Sequence, residues 1–461
     1  MQLDKNFFNE ALSGAKLNTD FSFDTSFSVD TRTLQKGEVF VALQGEHADG
    51  HEFIKEALKK GASGFVLSAK NREKLEIQYG TELQKKKLLF VEDPYKALLS
   101  LASKWRAQFS YPVIAITGSV GKTTTKEFVA NILRTTSGEY FTSHGNQNTR
   151  LGLALNMLKM RFFHKAAVFE VGISKRGEMK HLAALLQPTS SVITQIGHGH
   201  MEGLGALSDV AQEKREVFSL FKPENIGVIN GDQAILSKVS YNFPVMRFGF
   251  KMTNQIQARK IVIKNNIISF ILKLYDKKYA LILKGSNEAR ILNALAAASV
   301  ARVLGISDED IVNGLQKDLI VQGRFEEMQL ASGGILINDC YNSNPESIKA
   351  GIVAFNAYET DKRKIVVLGD MLELGIDSSF WHRQAGRLLH KFSGIYHVVL
   401  IGNMVQWTQK TLPIGCQSTH FEKWEDAQEF LKKLDTKDSI FYFKGSNGTG
   451  LHKLVTTFSF K

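Results

Sequence analysis

The chain has 461 residues, of which 43% are hydrophobic and 23% are charged. This length and balance fit a globular protein of two or three domains. Two cysteines are too few for a disulfide framework. No stretch of about 20 apolar residues occurs, and the first residues lack the apolar core of a signal peptide, so we expect a cytoplasmic protein without membrane insertion.

The formal net charge at pH 7 is +12, which would suit either a nucleic acid or a small anionic ligand. The lysines are scattered, however, and the longest run is Lys85–Lys87. A nucleic-acid surface normally groups its cations in a patch or stripe. The charge pattern therefore favours a small anionic ligand, and we expect no nucleic-acid partner.

Residues 1–108 have the pattern of a small α/β domain. Alternating apolar residues predict a strand over Glu38–Leu43, and a short amphipathic helix is predicted over Glu52–Lys60. A second strand is predicted over Gly64–Ser68, and a connecting helix over Leu98–Phe109. A separate small domain is therefore expected to precede the rest of the chain.

Two loops of this first segment carry polar residues that could hold an anion. Thr31 and Arg32 lie together in a VDTR turn, and Gln44 with Gly45 follows the first predicted strand. A guanidinium and backbone N–H groups are suitable partners for an anion. Taken alone, Arg32 fits a plain surface charge better, so the residues leave both interpretations open.

The segment Val113–Arg134 predicts a strand, a glycine loop and a helix in succession. Val113–Ile116 is an unbroken apolar run, and helical spacing begins at Thr123. Such a loop aims several backbone N–H groups at one anion, with the helix dipole behind them. Lys122 would reach the terminal phosphates of a nucleotide, and the Thr123 hydroxyl would bind Mg²⁺. The predicted nucleotide-binding loop consists of Thr117, Gly118, Ser119, Val120, Gly121, Lys122, Thr123 and Thr124.

A polar segment follows this helix along the chain. Asn146, Asn148 and Thr149 directly precede an apolar helix predicted over Leu151–Leu158. Residues of these types most often cap the helix that they precede. Their amide and hydroxyl groups are equally suited to a ligand, so the residues alone do not decide.

Two strand ends of the central domain carry residues that could bind a metal ion. Glu170 lies near the carboxyl end of a strand predicted over Ala166–Val171, where parallel sheets place ligand groups. A carboxylate among apolar neighbours is costly unless it is paired, and a metal ion is a natural partner. His198 and His200 follow the next predicted strand in a glycine-rich loop, but no further Cys or His cluster supports a zinc site.

A helix is predicted over Ser208–Phe221 with Ser208 as its N-cap, and Lys214 lies in its middle. By its neighbours alone, Lys214 fits a solvated lysine that pairs with acids one turn away. Residues 246–285 then alternate between apolar and polar, which predicts an antiparallel meander with turns at Asn265-Asn266 and Asp276–Lys278. A helix over Glu288–Leu304 follows.

A third α/β domain is predicted from residue 321. Asp339, Asn342 and Asn344 follow a buried strand, and Pro345 opens the next helix. Polar side chains at the carboxyl end of a strand are expected to face a cleft. Arg324 lies shortly upstream in a QGRFE segment.

The glycine loop is short, because two residues separate Gly118 from Gly121 where the usual phosphate-binding loop has four. With this spacing, TGSVGKTTT resembles the loop of the Mur ligases, which use ATP to make amide bonds. The segments VDTR, FVALQGEHADGHEF, GNQNT, GHGHMEG, QGRFE and INDCYNSNPES are similar to motifs of that family, in the same order. The resemblance implies an α/β protein of three domains. Residues 1–108 would bind a UDP-muramoyl substrate, 109–320 would form a P-loop mononucleotide-binding domain with a parallel sheet plus a small antiparallel sheet, and 321–461 would form a Rossmann-like domain for the acceptor and nucleotide.

The resemblance further implies a monomeric ligase of peptidoglycan synthesis that requires ATP and Mg²⁺. It would activate UDP-N-acetylmuramoyl-tripeptide as an acyl phosphate and pass it to D-alanyl-D-alanine. A sister ligase that adds a diamino acid is the nearest alternative, and a non-ligase P-loop ATP-binding protein is the second. The sister ligases favour an Asn-Pro-Arg motif where this chain has Asn344-Pro345-Glu346, and an acid there would repel a diamino acid's carboxylate.

Residue roles follow from the same resemblance, position by position. The implied catalytic residues are Lys122, Glu170, His200 and Lys214, with His198 uninvolved. The implied Mg²⁺ ligands are Thr123, Glu170, His200 and Lys214, the last as a carbamate formed with CO₂. The implied ATP contacts beyond the loop are Asn293, Arg324 and Asp339. The implied substrate contacts are Thr31, Arg32, Gln44, Gly45, Asn146, Asn148, Thr149, Asn342 and Asn344.

The chain departs from the family pattern at two places. Relatives show a His-Asn pair shortly before the position of Asn293, where this chain has Asn287 in GSNEAR. They also show an arginine where Asn447 stands in KGSN. Contacts to the base and to a phosphate or carboxylate are therefore expected to differ there.

Overall fold

The computed structural model describes residues 5–12, 16–17, 26–46, 48–145 and 147–459. Within these ranges, no helix is long and apolar enough to cross a membrane. The chain packs as two compact units. Residues 1–113, 139–169 and 181–188 belong to the first unit, and residues 114–138, 170–180 and 189–461 belong to the second.

In the first unit, a predominantly parallel sheet of five strands organises the N-terminal part of the chain. Its strands, in order across the sheet, are Lys16–Leu17, which is antiparallel to its neighbour, Lys87–Val91, Gly64–Ser68, Val39–Val41 and Phe27–Ser28. Its helices are Lys5–Ala11, Ile54–Lys59, Arg72–Leu83 and Pro94–Arg106, with 3₁₀ turns at Gly50–Phe53 and Ala69–Asn71. Phe40, Phe65 and Ile54 lie in the apolar core between sheet and helices.

The helix Pro94–Arg106 begins earlier than the predicted start at Leu98. The Asp93 side chain accepts hydrogen bonds from two backbone N–H groups of the first turn, and Pro94 occupies the first helical position. Asp satisfies N–H groups that have no partner inside the helix, and proline has no N–H to satisfy. An Asp-Pro start signal therefore extends the helix beyond its apolar stripe.

The remaining elements of the first unit come from the middle of the chain. Strands Phe141–Thr142 and Ala167–Glu170 pair in parallel, and the helix Arg150–Met157 lies between them in sequence. The last residue of the second strand, Glu170, already belongs to the second unit. The helix Glu178–Leu186 is likewise divided between the two units.

The second unit contains two sheets, of which the first carries the glycine loop. Its strands in order are Val113–Thr117, Ser190–Ile193, Ile226–Asn230, Val245–Gly249, Ile256–Lys264, Ile267–Leu274 and Lys277–Lys284. The first residue of the first strand, Val113, still belongs to the first unit. The first five run parallel, and the last two turn back antiparallel. Its helices are Lys122–Leu133, Met201–Leu204, Leu207–Arg215, Ala234–Ser237, Ala289–Val303 and Asp308–Gln316, with a 3₁₀ turn at Glu216–Phe218.

The predicted meander is a continuation of this parallel sheet. Phe248 pairs with Ile256 in parallel register, so the antiparallel strands extend the same hydrogen-bonded array. Asn265 and Asn266 form the predicted turn with φ of +51° and +56°. Asparagine is one of the few residues with a side chain that tolerates this left-handed backbone region.

The second sheet of this unit has six strands. In order across the sheet they are Glu326–Gln329, which is antiparallel to its neighbour, Ile335–Asn338, Ser439–Lys444, Arg363–Gly369, Ile395–Ile401 and Ser418–Phe421. The helices are Pro345–Ala357, Ser378–Leu389, Gln406–Gln409, Trp424–Leu434 and Leu451–Ser459, with 3₁₀ turns at Gly375–Asp377 and Asn447–Thr449. Two apolar clusters contain side chains of this sheet, one with Val366 and Leu368 and one with Ile365 and Val367. This alternation is typical of a doubly wound domain with helices on both faces.

The helix that carries Lys214 is capped differently from the prediction. It spans Leu207–Arg215, and Ala206 rather than Ser208 is its N-cap residue. The backbone N–H of Ala206 donates to the Asp209 carboxylate at 3.0 Å. An acid in the first turn thus satisfies the helix start, which is also its electrostatically favoured place.

Candidate nucleotide and metal site

The predicted strand, glycine loop and helix are confirmed in the second unit. Strand Val113–Thr117 is buried along its whole length, and the helix Lys122–Leu133 begins directly after Gly121. Gly121 has a left-handed φ of +91°, which glycine adopts without steric cost. The N–H groups of the first helical turn have no carbonyl partner inside the helix and are available to an anion.

Close contacts explain why the loop needs both glycines. A Cβ at Gly118 would lie 2.0 Å from the Thr194 hydroxyl, and one at Gly121 would lie 2.2 Å from the Asn293 amide oxygen. The Thr194 hydroxyl donates to the Val120 carbonyl at 2.6 Å. The loop is therefore held in shape by two neighbouring elements before any ligand is bound.

Lys122 lies on this loop. Its ammonium group donates to the Gly118 carbonyl at 2.9 Å. Burial lowers the pKa of Lys122, while the nearby Glu170 carboxylate opposes this effect and the Arg324 guanidinium adds to it. The side chain is thus half-buried and positioned inside the loop, with its charge poorly compensated by the protein alone. An anionic phosphate is the partner that would compensate it.

The residues near the loop fit a bound Mg²⁺ ion. The Thr123 hydroxyl is buried and has no hydrogen-bond partner among the described residues, and Glu170 is a buried carboxylate. No group of three or more His, Cys, Asp or Glu side chains is arranged for a metal in the described part of the chain. Mg²⁺ typically keeps several waters and takes one or two protein ligands together with substrate phosphates, so an incomplete protein set is what it requires.

His200 is placed by an unusual backbone conformation. It has a φ of +58° and directly precedes the short helix Met201–Leu204. Its Nδ1 lies 2.5 Å from the Glu373 carboxylate, which is contributed by the third predicted domain. Hydrogen bonding to His200 lowers the pKa of Glu373. A carboxylate that binds one ring nitrogen fixes the orientation of the ring and leaves Nε2 available to a metal.

His198 was expected to be uninvolved, but the structure gives it a defined partner. Its ring nitrogen Nδ1 lies 2.6 Å from the Glu346 carboxylate. This finding also bears on the expected role of Glu346. Its carboxylate also binds a histidine, and repulsion of diamino-acid acceptors by Glu346 remains a prediction.

Lys214 is buried rather than solvated, with 1% of the residue exposed. Burial lowers the pKa of Lys214 well below its usual value, and the nearby Lys122 ammonium lowers it further while Glu213 opposes this. Lys214 forms no ion pair within the described ranges of the chain. A buried amine with these surroundings favours its neutral, nucleophilic form.

A cleft of about 750 Å³ adjoins the glycine loop and brings together the predicted ATP contacts. Asn293, Arg324 and Asp339 all line it, as does Asn287, the residue at the place where relatives have a His-Asn pair. The full lining is Val120, Gly121, Thr123, Thr124, Gly285, Asn287, Ala289, Arg290, Asn293, Arg324, Phe325, Asp339, Ser347, Ala350 and Lys444. Residues of both predicted domains therefore line one cleft beside the glycine loop.

Sequence reasoning missed two cations in this cleft. Arg290 lies with its guanidinium over the Phe128 ring, and burial lowers its pKa. Lys444 is fully buried, and its ammonium lies 2.8 Å from the Asp339 carboxylate. The available signal for Lys444 was a lysine at the end of an otherwise apolar strand.

The predicted acceptor residues have structural partners. Asp339 also accepts a hydrogen bond from the Tyr442 hydroxyl at 2.9 Å. Asn342 accepts from the Ser343 backbone N–H at 2.7 Å. Asn344 caps the helix Pro345–Ala357, since its amide oxygen accepts from a first-turn N–H. Ligand contacts by Asn342 and Asn344 remain predictions, and replacing Asn344 would also remove a helix cap worth about 1 kcal/mol.

In the first unit, the two predicted anion loops lie at one edge of the small sheet. Strands Phe27–Ser28 and Val39–Val41 are parallel neighbours, so the loops that follow them start side by side. Arg32 is exposed and paired with Asp30 at 2.6 Å, while Thr31 is buried. Binding of a diphosphate at this edge remains a prediction.

The loop that contains Gln44 and Gly45 is held by hydrogen bonds that the sequence pattern did not indicate. Gly45 donates its N–H to the Ala48 carbonyl at 2.9 Å, and Gln44 bridges to Asp49. Buried His51 lies 2.6 Å from the Asp49 carboxylate and accepts from the Ser68 backbone N–H through its other nitrogen. This chain of contacts shapes the loop that presents Gln44 and Gly45.

The polar segment before the helix Arg150–Met157 shows a capping role. The Thr149 hydroxyl accepts from the Gly152 N–H at 3.3 Å. Asn146 lies outside the described residues. Ligand contacts by Asn148 and Thr149 remain predictions.

These observations define a P-loop α/β protein in which a nucleotide cleft is completed by a second doubly wound domain. Three family models match the chain. They are the Mur ligase family, catalytic domain, over residues 25–105, the Mur ligase middle domain over 116–301, and the Mur ligase, glutamate ligase domain over 323–447. The chain belongs to the Mur ligase family.

Individual proteins match over nearly their whole lengths. UDP-N-acetylmuramoyl-tripeptide–D-alanyl-D-alanine ligase of Escherichia coli strain K12 is 30% identical, over 97% of this chain and 96% of that protein. The solved structure of MurF from Acinetobacter baumannii is 27% identical with a TM-score of 0.83, and the match covers 99% of this chain and 98% of that one. MurF ligase from Thermotoga maritima in complex with ADP is 26% identical with a TM-score of 0.78, over 94% and 97% of the two chains.

Proposed function

We propose that the protein joins D-alanyl-D-alanine to UDP-N-acetylmuramoyl-tripeptide with ATP, acting as a monomer in peptidoglycan synthesis. The observation that carries this proposal is the end-to-end similarity to ligases of that name, combined with a glycine loop and a cleft built by two domains. A P-loop protein that only binds ATP would need neither the paired loops around Arg32 nor the polar cluster after Ile335–Asn338.

The reaction has two chemical steps. The terminal phosphoryl group of ATP passes to a carboxylate oxygen of the tripeptide, and ADP leaves. The amine of D-alanyl-D-alanine then attacks the carbonyl carbon of this acyl phosphate, an amide bond forms, and phosphate departs while the amine loses a proton. Both steps concentrate negative charge on the transferred phosphoryl group, so positioned positive charge is the main need.

The residues on the glycine loop are suited to this need. Lys122 would turn its ammonium group from the Gly118 carbonyl to the phosphates of ATP, which lie at the start of the helix. Thr123, Glu170 and His200 would hold Mg²⁺, which neutralises charge on the phosphates when bound. Asn293 and Arg324 would contact the nucleotide from the walls of the cleft.

Lys214 is proposed to act as a carbamate. Its neutral amine would attack CO₂ and lose one proton, which leaves a carboxylate-like anion on the buried side chain. The burial of Lys214, and the absence of an ion pair to it among the described residues, support this chemistry. The product anion would be a further Mg²⁺ ligand beside Thr123, Glu170 and His200.

An acceptor panel tests the proposed function. With UDP-N-acetylmuramoyl-tripeptide and ATP, D-alanyl-D-alanine should release phosphate and form the pentapeptide product. Meso-diaminopimelate or lysine, offered with UDP-N-acetylmuramoyl-dipeptide, should be used at least about 100-fold less well by kcat/KM, since a site built for one dipeptide leaves polar groups unpaired with another acceptor. Product mass and phosphate release are measured together.

Each alternative makes a different forecast in this panel. Addition of a diamino acid to the dipeptide donor would identify the sister ligase of the preceding step. Phosphate release at the same rate with and without the two peptide substrates would identify an ATPase or switch protein. Reactions without nucleotide donor or without acceptor serve as the controls.

Replacing Thr123 by valine should separate metal binding from stability. Valine keeps the shape but removes a buried hydroxyl that has no hydrogen-bond partner among the residues described. The unfolding midpoint without ligand should therefore be unchanged or higher. The KM for Mg·ATP should rise about tenfold, because a metal ligand is lost. Thr125→Val is the matched control, because Thr125 lies two residues further along the same helix and its buried hydroxyl also has no hydrogen-bond partner in the described part of the chain. An equal KM in both variants would contradict the assignment.

A further inference from the structure

A loop between the strand Ser190–Ile193 and the helix Met201–Leu204 touches the glycine loop. We call residues 195–200 the histidine loop. The Ser119 backbone N–H donates to the Gln195 carbonyl at 2.7 Å, and the Ser119 hydroxyl donates to the Gly197 carbonyl at 2.9 Å. Movement of the histidine loop would therefore move the glycine loop as well.

The other side of the histidine loop is held by the third predicted domain. Glu346, in the first turn of the helix Pro345–Ala357, accepts two hydrogen bonds from one residue. The His198 backbone N–H donates to one carboxylate oxygen at 2.9 Å, and the His198 ring lies 2.6 Å from the other. Both side chains are 22% exposed, so water competes weakly for this contact.

The approach of the two elements depends on the absence of a side chain. A Cβ at Gly197 would lie 2.5 Å from a Glu346 carboxylate oxygen. The His198 ring also packs against the Trp381 ring, with centroids 4.4 Å apart. The Glu346 carboxylate can therefore approach the histidine loop closely only because residue 197 is a glycine.

Two-point binding through one carboxylate fixes orientation as well as distance. Glu346 is distant in sequence from His198, yet its carboxylate holds the histidine loop, which contacts Ser119 and carries His200. We propose that Glu346 and His198 form a positioning latch that sets the histidine loop, and with it His200 and Ser119, for the ligation step. This inference rests on the proposed function only for its assay.

Loss of a purely structural contact would have different effects from loss of a positioning latch. Loss of a structural contact lowers the unfolding midpoint and affects every substrate alike. Loss of a positioning contact lowers turnover while ATP is still bound, because displacement of reacting groups by about 1 Å can cost on the order of 100-fold in rate. The two roles are separated by comparing kcat, KM and stability in the same variants.

The experiment compares Glu346→Gln, His198→Phe and the double variant. Glutamine keeps an oxygen for the His198 N–H but loses the charge, and phenylalanine keeps a ring against Trp381 but loses the nitrogen. Glu359→Gln is the matched control. Its carboxylate accepts from the Asn265 N–H at 2.8 Å, so it also joins the third domain to the central one, but away from the histidine loop.

We expect each single latch variant to lower kcat by about 10- to 100-fold, with the KM for ATP within about twofold of wild type. The double variant should be no slower than the slower single variant, because both changes break one contact. Glu359→Gln should keep wild-type kcat. The latch is refuted by wild-type kcat in Glu346→Gln, by multiplying effects in the double variant, or by an equal loss in Glu359→Gln. Failure of the wild-type enzyme to ligate would instead count against the proposed function.

Discussion

Replacing Lys122 by methionine is expected to abolish ligation without destabilising the protein. The amine is half-buried and donates to its own loop at the Gly118 carbonyl. Methionine keeps the length of the side chain but removes the charge that would meet the transferred phosphoryl group. Loss of one preorganised donor at such a site typically costs about 10²–10³ in rate. Turnover is measured by coupled ADP release at saturating substrates.

The stability of the same variant provides an independent check. Burial lowers the pKa of Lys122, which means that the folded protein pays a cost to keep this amine charged. Removing the amine should therefore leave the unfolding midpoint unchanged or raise it. Lys180→Ala, on the exposed face of the helix Glu178–Leu186, is the control for a general loss of positive charge. Turnover above about a tenth of wild type would rule out Lys122 as the phosphate-binding lysine.

Replacing Lys214 by alanine should reduce turnover as much as replacing Lys122, but small carboxylates should restore part of the activity. The substitution removes the proposed carbamate and leaves a buried space the size of the lost side chain. Acetate or propionate could enter that space and return a negative charge next to Mg²⁺. Lys214→Arg should be inactive and insensitive to these anions, since its bulk fills the space and its charge has the wrong sign.

Specificity of the rescue is the central control for Lys214. Lys122→Ala should gain nothing from acetate or propionate, because it lacks a cation rather than an anion. Incubation with ¹³C-bicarbonate should give a carbamate carbon signal in the wild-type protein that is absent in Lys214→Ala. Full activity together with a bare Lys214 amine in a high-resolution map would disprove the carbamate.

The parts of the fold that were predicted from sequence are those fixed by local physics. Val113–Thr117 is a parallel strand buried on both faces, which requires an unbroken apolar run. The turn at Asn265-Asn266 was visible because few residues accept a left-handed backbone. Where local rules were applied incompletely, as at Asp93-Pro94, the start of the helix was misplaced.

The parts that could not be predicted depend on contacts between distant segments. Lys214 has the local pattern of a surface lysine, and only packing of the whole unit buries it. Glu346 meets His198, and Lys444 meets Asp339, across more than a hundred residues of chain. Sequence patterns indicate which side chains carry chemistry, but they do not contain these distances. The family resemblance predicted roles for Lys214 and His200 that their local sequence does not indicate.

The third domain completes its sheet late during synthesis. Its last strand, Ser439–Lys444, lies in the middle of the sheet, between Ile335–Asn338 and Arg363–Gly369. A ribosome needs on the order of ten seconds to add the residues that separate this strand from Gly369. During that time the two flanking strands have no shared neighbour, and unpaired strand edges are prone to aggregation. The same strand delivers Lys444 to Asp339, so the nucleotide cleft gains its buried ion pair only when the sheet closes. In a nascent chain, the third domain therefore closes its sheet and completes its wall of the proposed nucleotide cleft in the same step.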